Sequence, residues 1–199
     1  MSKARKVPAR YVALLIQYLE EQGIDCSQPL FEAGISPESL SHVDAMLPSE
    51  QVVQVTRLLT DASRGQRNLG LRIGAKVSPA QLGDLGLALL TCPTAKAALE
   101  LCARYHALVT PEFSMHTRLV GAQYEVCWYP THVVPYDAMT LAYDLILMSI
   151  HTWAQSLWRD QMASFDAYLP GPPPADRHRY SELKMARLHF GQEGLPALR

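Results

Sequence analysis

A chain of 199 residues is long enough for one ample hydrophobic core or two small ones. Apolar residues make up 48% and charged residues 19%, a balance that excludes a disordered chain. The formal charge of −1 removes the electrostatic footprint of a nucleic-acid-binding domain, and no apolar run reaches the ~20 residues of a membrane span.

The elements follow in chain order. Lys3, Arg5, Lys6 and Arg10 cluster at the N-terminus and read as a solvated tail. Val12, Leu15, Ile16 and Leu19 then recur at helical spacing, and Gly23 supplies a stop. A short helix around Leu30 and Phe31 ends near Gly34, and "SPESL" offers Ser36 as an N-cap before Pro37. A longer helix after Pro48 presents Val52, Val55 and Leu59, and "NLGLRIGAKV" reads as a short one with Asn68 near its start. The glycines of "GDLG", Gly83 and Gly86, predict a tight turn with close packing. Behind Pro93, the residues Ala98, Leu101, Tyr105 and Leu108 keep helical spacing to about Val109, and Pro111 ends the run.

The period then changes. "FSMHTRLVG" and "AQYEVCWYP" predict a hairpin about Gly121 and Ala122. Helical spacing returns from Asp137 to Trp158, "MASFDAYLP" suggests a third strand, and "PGPPP" reads as a rigid loop. A short helix around Tyr180 and two last strands, "ARLHFG" and "LPALR", complete the chain. The fold class is therefore α+β: a helical N-terminal half followed by a mainly antiparallel sheet with covering helices. No linker divides it, so residues 1–199 are expected to form a single domain.

Chemistry is sparsely marked. Cys102 and His106 lie four residues apart on one predicted helix, which suits two metal ligands or a thiol–base pair. No third ligand is spaced to join them, and small thiols are common in cores. His116, His132, His151 and His189 are isolated from one another. Neither G-x-G-x-x-G nor a P-loop nor a G-x-S-x-G elbow occurs, so no cofactor, metal or catalytic residue is expected. Cys26, Cys92, Cys102 and Cys127 contain no C-x-x-C pair. With no signal peptide visible, they are expected to be reduced in a cytoplasmic protein.

One constellation points to a ligand. His116, Arg118, Tyr124 and Trp128 lie on the hairpin, and Tyr143 on the helix that should cover it. Aromatics with a few polar tips are the usual make-up of a small-molecule pocket. An Arg there could pair with a carboxylate, while the plainer reading makes the aromatics core.

Taken in order, these segments resemble the N-terminal effector domain of AraC-type transcriptional regulators, in the subfamily labelled "arabinose-binding". The resemblance runs from about Arg10 to the end. It is carried by "YVALLIQYLEEQGID", "LFEAGISPESLSHVDAMLPSEQVVQVTRLLTDAS", "NLGLRIGAKVSPAQLGDLGLALLTCPTAKAALELCARYHALVTP" and the closing "ARLHFGQEGLPALR". It implies a sensor that binds a small-molecule effector, forms a homodimer, and meets promoter DNA only through a C-terminal helix-turn-helix domain. The chain stops at Arg199, about where that domain would begin, so an isolated sensor domain is expected. The competing expectation is a dimerisation module without a small ligand, using the Asp137–Trp158 helix as its surface.

Overall fold

A computed structural model describes residues 6–42, 45–63, 68–121, 123–131, 136–158, 165–169, 173, 177–184, 186–191 and 197–198. Lys3, Arg5, His132, Pro172 and Pro174 lie outside the described residues.

The N-terminal part is built from amphipathic helices. In α1 (Arg10–Glu21) the stripe Val12, Leu15, Ile16 and Leu19 is buried, together with Tyr18. Gly23, at φ +75°, turns the chain out of it. The helix α3 (Ser49–Ala62) packs against both α1 and α2 (Ser27–Glu32), with Val55 and Leu59 of α3 fully buried. Ser36 caps a 3-10 turn over Pro37–Leu40 by accepting from the Ser39 amide.

Two strands too short to show a period of two lie in this helical part. β1 (Lys6–Pro8) pairs antiparallel with β2 (Met46–Pro48). The division into a helical half and a sheet half is thus not clean, and the fold is a mixed one of α-helices and antiparallel sheets. Lys6 belongs to β1 and Arg10 opens α1, so neither sits in a solvated tail.

The helix α4 (Leu69–Gly74) follows Asn68, which adopts the left-handed conformation at φ +65°. A 3-10 turn over Pro79–Leu82 leads into α5 (Asp84–Leu90). Gly83 makes the bend at φ +67°, and a Cβ on Gly86 would stand 1.6 Å from the Pro79 carbonyl oxygen. The glycines of "GDLG" are therefore structural. Thr94 caps α6 (Ala95–Val109) through the Ala97 amide. Its buried face is Ala95, Ala98, His106 and Val109, whereas Tyr105 and Leu108 are 42% and 72% exposed. The predicted stripe through Tyr105 and Leu108 is thus rotated from the buried one.

The predicted hairpin forms as β3 (Phe113–Val120) and β4 (Gln123–Pro130). With β5 (Phe165–Tyr168), β6 (Ala186–His189) and β7 (Ala197–Leu198) it makes a sheet of order β3-β4-β7-β5-β6. Its pairings are antiparallel except β5 with β6, which run parallel. On β6, Arg187 holds Asp166 bidentately at 3.0 and 2.6 Å, and His189 Nε2 lies 2.7 Å from the same carboxylate.

The helix α7 (Tyr136–Leu157) is central. It buries Tyr143, Leu147, Met148, His151 and Ala154 and covers the sheet as expected, so it is not the free surface that a dimerisation module without a ligand would use. Gly70 and Gly74 of α4 let the two helices meet closely: a Cβ on either would stand 2.5 Å from the carbonyl oxygens of Leu141 and Leu145. Three apolar clusters result. One joins α1 to α4, one joins the sheet to α7, and one joins α5, α6 and Trp158. Among the described residues no helix is long and apolar enough to cross a membrane.

Candidate ligand cavity

A partly enclosed cavity of about 240 Å³ lies where the three clusters meet. One wall is α7, whose Ala142, Ile146, Ile150 and Trp153 follow helical spacing along a single flank. Facing it are Tyr11 and Leu15 of α1, Val52 and Thr56 of α3, and Ala98, Cys102 and His106 of α6. Met115 and Trp128 close the end toward the sheet. Nearly all the exposed wall is apolar.

The few polar groups on the wall are mostly engaged. Tyr11 donates to the Val109 carbonyl at 2.5 Å, and its oxygen lies 2.9 Å from Thr110 Oγ1. Burial pushes the Tyr11 pKa up, so the phenol stays protonated. Ser49 reaches Glu112 at 3.3 Å, Trp153 Nε1 donates to Val77 O at 2.7 Å, and Ser149 Oγ donates to Leu145 O at 2.8 Å. At the mouth, Arg10 Nη1 donates weakly to Gln81 O at 3.4 Å.

His106 differs from these. Its Nδ1 stands 3.0 Å from the Phe113 carbonyl oxygen, an acceptor, so this nitrogen carries the proton. Burial lowers the His106 pKa, only partly opposed by that hydrogen bond, and the ring is neutral. Its Nε2 is then a bare acceptor, and among the described residues it has no partner.

Cys102 and His106 do share a face and both line the cavity. Burial pushes the Cys102 thiol up to about 11, which makes it a poor nucleophile and metal ligand. Among the described residues no group of three His, Cys, Asp or Glu side chains could hold a metal ion. All four cysteines are free.

The structure divides the five residues singled out on the hairpin and its covering helix. Trp128 lines the cavity. Tyr143 packs against Phe113 at 5.6 Å between rings, away from the cavity wall, with its hydroxyl buried and its pKa raised to about 12 by that burial. Tyr124 reaches Glu100 of α6 at 3.1 Å. His116 and Arg118 lie on the opposite face of the sheet, where His116 meets Tyr129 edge-on and Arg118 pairs with buried Glu125. The register explains the split: His116 pairs with Cys127 and Arg118 with Glu125, so both share a face with odd-numbered residues of β4. The five do not form one cleft.

Sequence reasoning missed Tyr11, Thr56 and the α7 flank, because helical periodicity marks a buried face without telling packing from void. The Cys102–His106 spacing was a usable signal for the α6 wall.

Residues 23–194 match the family described as "Arabinose-binding domain of AraC transcription regulator, N-term". The chain is 24% identical over 191 residues to the ornithine utilization regulator of Pseudomonas aeruginosa, covering 95% of this chain and 55% of that protein. It is also 24% identical over 103 residues to an uncharacterized HTH-type transcriptional regulator of Mycobacterium tuberculosis, covering 52% and 30% of the two chains. Its fold is similar to the crystal structure of the transcriptional regulator CdpR from Pseudomonas aeruginosa, with a TM-score of 0.61 at 17% identity over 95% of this chain and 54% of that one. The chain thus spans about half the length of that ornithine utilization regulator. Each of these proteins is a regulator. The chain belongs to the family of N-terminal, arabinose-binding-type effector domains of AraC transcription regulators, and it is a regulatory domain, not an enzyme.

Proposed function

We propose that residues 1–199 act as a single domain that senses a small effector in the cavity at the junction of the three clusters. The cavity itself carries this reading. Protein interiors hold few voids larger than a water molecule. A partly enclosed apolar space of about 240 Å³ is far larger than a water molecule, and a small apolar occupant would gain contacts there that solvent cannot make.

The walls also suit a switch. They come from α1, α3, α6, α7 and the sheet, so an effector that binds one arrangement of these elements better than another shifts their populations. A coupling of about 1–3 kcal/mol is typical of such domains. In this reading promoter DNA is bound by a helix-turn-helix domain outside these 199 residues. The protein is a cytoplasmic homodimer, and Leu87 and Leu90 of α5 with Tyr105 and Leu108 of α6, all exposed, offer apolar surface to a second copy. Trp128 is the hairpin residue assigned to the ligand site. The unfilled space supports this reading over a dimerisation module without a ligand, which a pocket filled by side chains would favour.

The test is promoter binding by the intact regulator across a metabolite panel, with the native chain and with Ile146→Trp. At least one metabolite should change promoter binding by the native protein and lose that effect in the variant. Equal behaviour of the two proteins throughout would end the sensing reading.

A further inference from the structure

From the cavity wall we infer the chemical class of the effector: an uncharged, mainly hydrocarbon molecule with one hydrogen-donating group, bound by Nε2 of His106. The inference rests on the reading of this cavity as the effector site. It departs from what a sugar or a diamino acid would require.

A bound sugar buries several hydroxyls, and each one left without a partner weakens binding by roughly tenfold or more. This wall has no such set of partners. Tyr11, Trp153 and Ser149 are committed to backbone carbonyls, and Ser49 to the Glu112 carboxylate. Arg10 Nε has no partner among the described residues, but it is sealed from solvent-sized contact and cannot meet a ligand without moving. The polar wall groups with no hydrogen bond among the described residues are Thr56 Oγ1, Gln81 Nε2, the indole N–H groups of Trp128 and Trp158, and Nε2 of His106; of these, His106 Nε2 alone accepts and does not donate. The charged wall residues, Arg10 and Glu112, are already engaged by Gln81 O and Ser49 Oγ, so a free cation or zwitterion would surrender its hydration to a wall that is otherwise apolar.

His106 sets the polarity of the recognised group. The Phe113 carbonyl fixes the proton on Nδ1 at 3.0 Å, so the nitrogen left for the ligand accepts and does not donate. A hydroxyl, phenol or amide N–H fits it, and a carboxylate does not. The hydrocarbon body then lies along Ile146, Ile150 and Trp128.

The experiment uses matched probes and the 199-residue chain. Binding of 4-ethylphenol, ethylbenzene, L-arabinose and L-ornithine is measured by calorimetry. The nitrogen resonances of the His106 ring are followed in parallel. The phenol should bind about tenfold more tightly than ethylbenzene and move the Nε2 resonance, with the two polar metabolites inert at millimolar concentration. His106→Asn keeps a donor to the Phe113 carbonyl and removes the ligand's acceptor, so the preference should fall to less than about threefold. His106→Gln restores an acceptor near the Nε2 position and should recover part of it. The inference is overturned if arabinose or ornithine binds and the hydrocarbons do not. It is also overturned if no probe binds, or if the native phenol preference is absent. Sensing itself is judged separately, by whether Ile146→Trp alters the promoter response, so the two readings can fail apart.

Discussion

The two flanks of α7 are packed in opposite ways. Toward α4 there is no room for a methyl group: a Cβ on Gly70 or Gly74 would meet the carbonyl oxygens of Leu141 or Leu145 at 2.5 Å. Toward α1, α3 and α6, the same helix faces a cavity of about 240 Å³ through Ala142, Ile146 and Ile150. One helix thus carries a contact too close for a methyl group on one flank and an open space on the other. The void is therefore not a sign of generally poor packing. α4 anchors α7 on one side and leaves its other side free to answer an occupant.

The contrast can be broken most forcefully on the tight flank. Gly74→Ala should lower stability by about 3 kcal/mol, because the new methyl must push two backbones apart and outweighs alanine's better helix propensity. Denaturant unfolding measures it, and an unchanged midpoint would refute the close packing.

On the loose flank the sign should reverse. Ala142→Leu adds hydrocarbon to the void and should raise stability by about 1 kcal/mol, while removing any stabilisation by a cavity ligand. Loss of stability comparable with that of Gly74→Ala would show that the space is not there.

Acid probes the histidines beside these flanks. Burial is the leading cause that lowers the pKa of both His106 and His151. The unfolded chain, with histidines near 6.5, takes up protons that the native state refuses. Stability is thus complete above about pH 7 and falls as pH drops through 6.5 toward the lowered native values. Between pH 7 and 6 the loss should reach up to about 0.7 kcal/mol for each histidine. In His106→Asn the share due to His106 should vanish from the pH dependence of unfolding.

The smallest effect belongs to the solvent side of α6. Leu108→Ser should change the stability of the monomer by less than about 0.5 kcal/mol, because Leu108 is 72% exposed. A larger loss that grows with protein concentration would place Leu108 in a dimer interface, as light scattering would show.

Much of the fold was legible as period. The α1 stripe, the cap at Ser36, the hairpin and the strand segments near residues 165, 186 and 197 all declared themselves. β1 and β2 did not, because three residues cannot display a period of two. Ala98 and Leu101 pack inward as expected, but Tyr105 and Leu108 only mimic an apolar face, while the true one passes through His106, a polar residue satisfied by the Phe113 carbonyl. α7 was expected to cover the sheet, but its close contact with α4 on another side went unread, because Gly70 and Gly74 sit in a helix too short to mark a packing face.

The division of the hairpin residues was in principle readable. A two-residue loop at Gly121 and Ala122 pairs Val120 with Gln123, so partner numbers sum to a constant and faces alternate in parity. His116 and Arg118 then cannot share a face with Tyr124 and Trp128. The cavity was not readable at all. It exists because three clusters meet without filling their junction, and no local pattern records a volume.

The central claim is that this cavity receives the effector, and thermal unfolding of the 199-residue chain across a metabolite panel tests it most directly. The native chain and Ile146→Trp are compared side by side. At least one metabolite should raise the melting temperature of the native chain and leave that of the variant unchanged. No stabilising metabolite, or the same shift in both proteins, would contradict it.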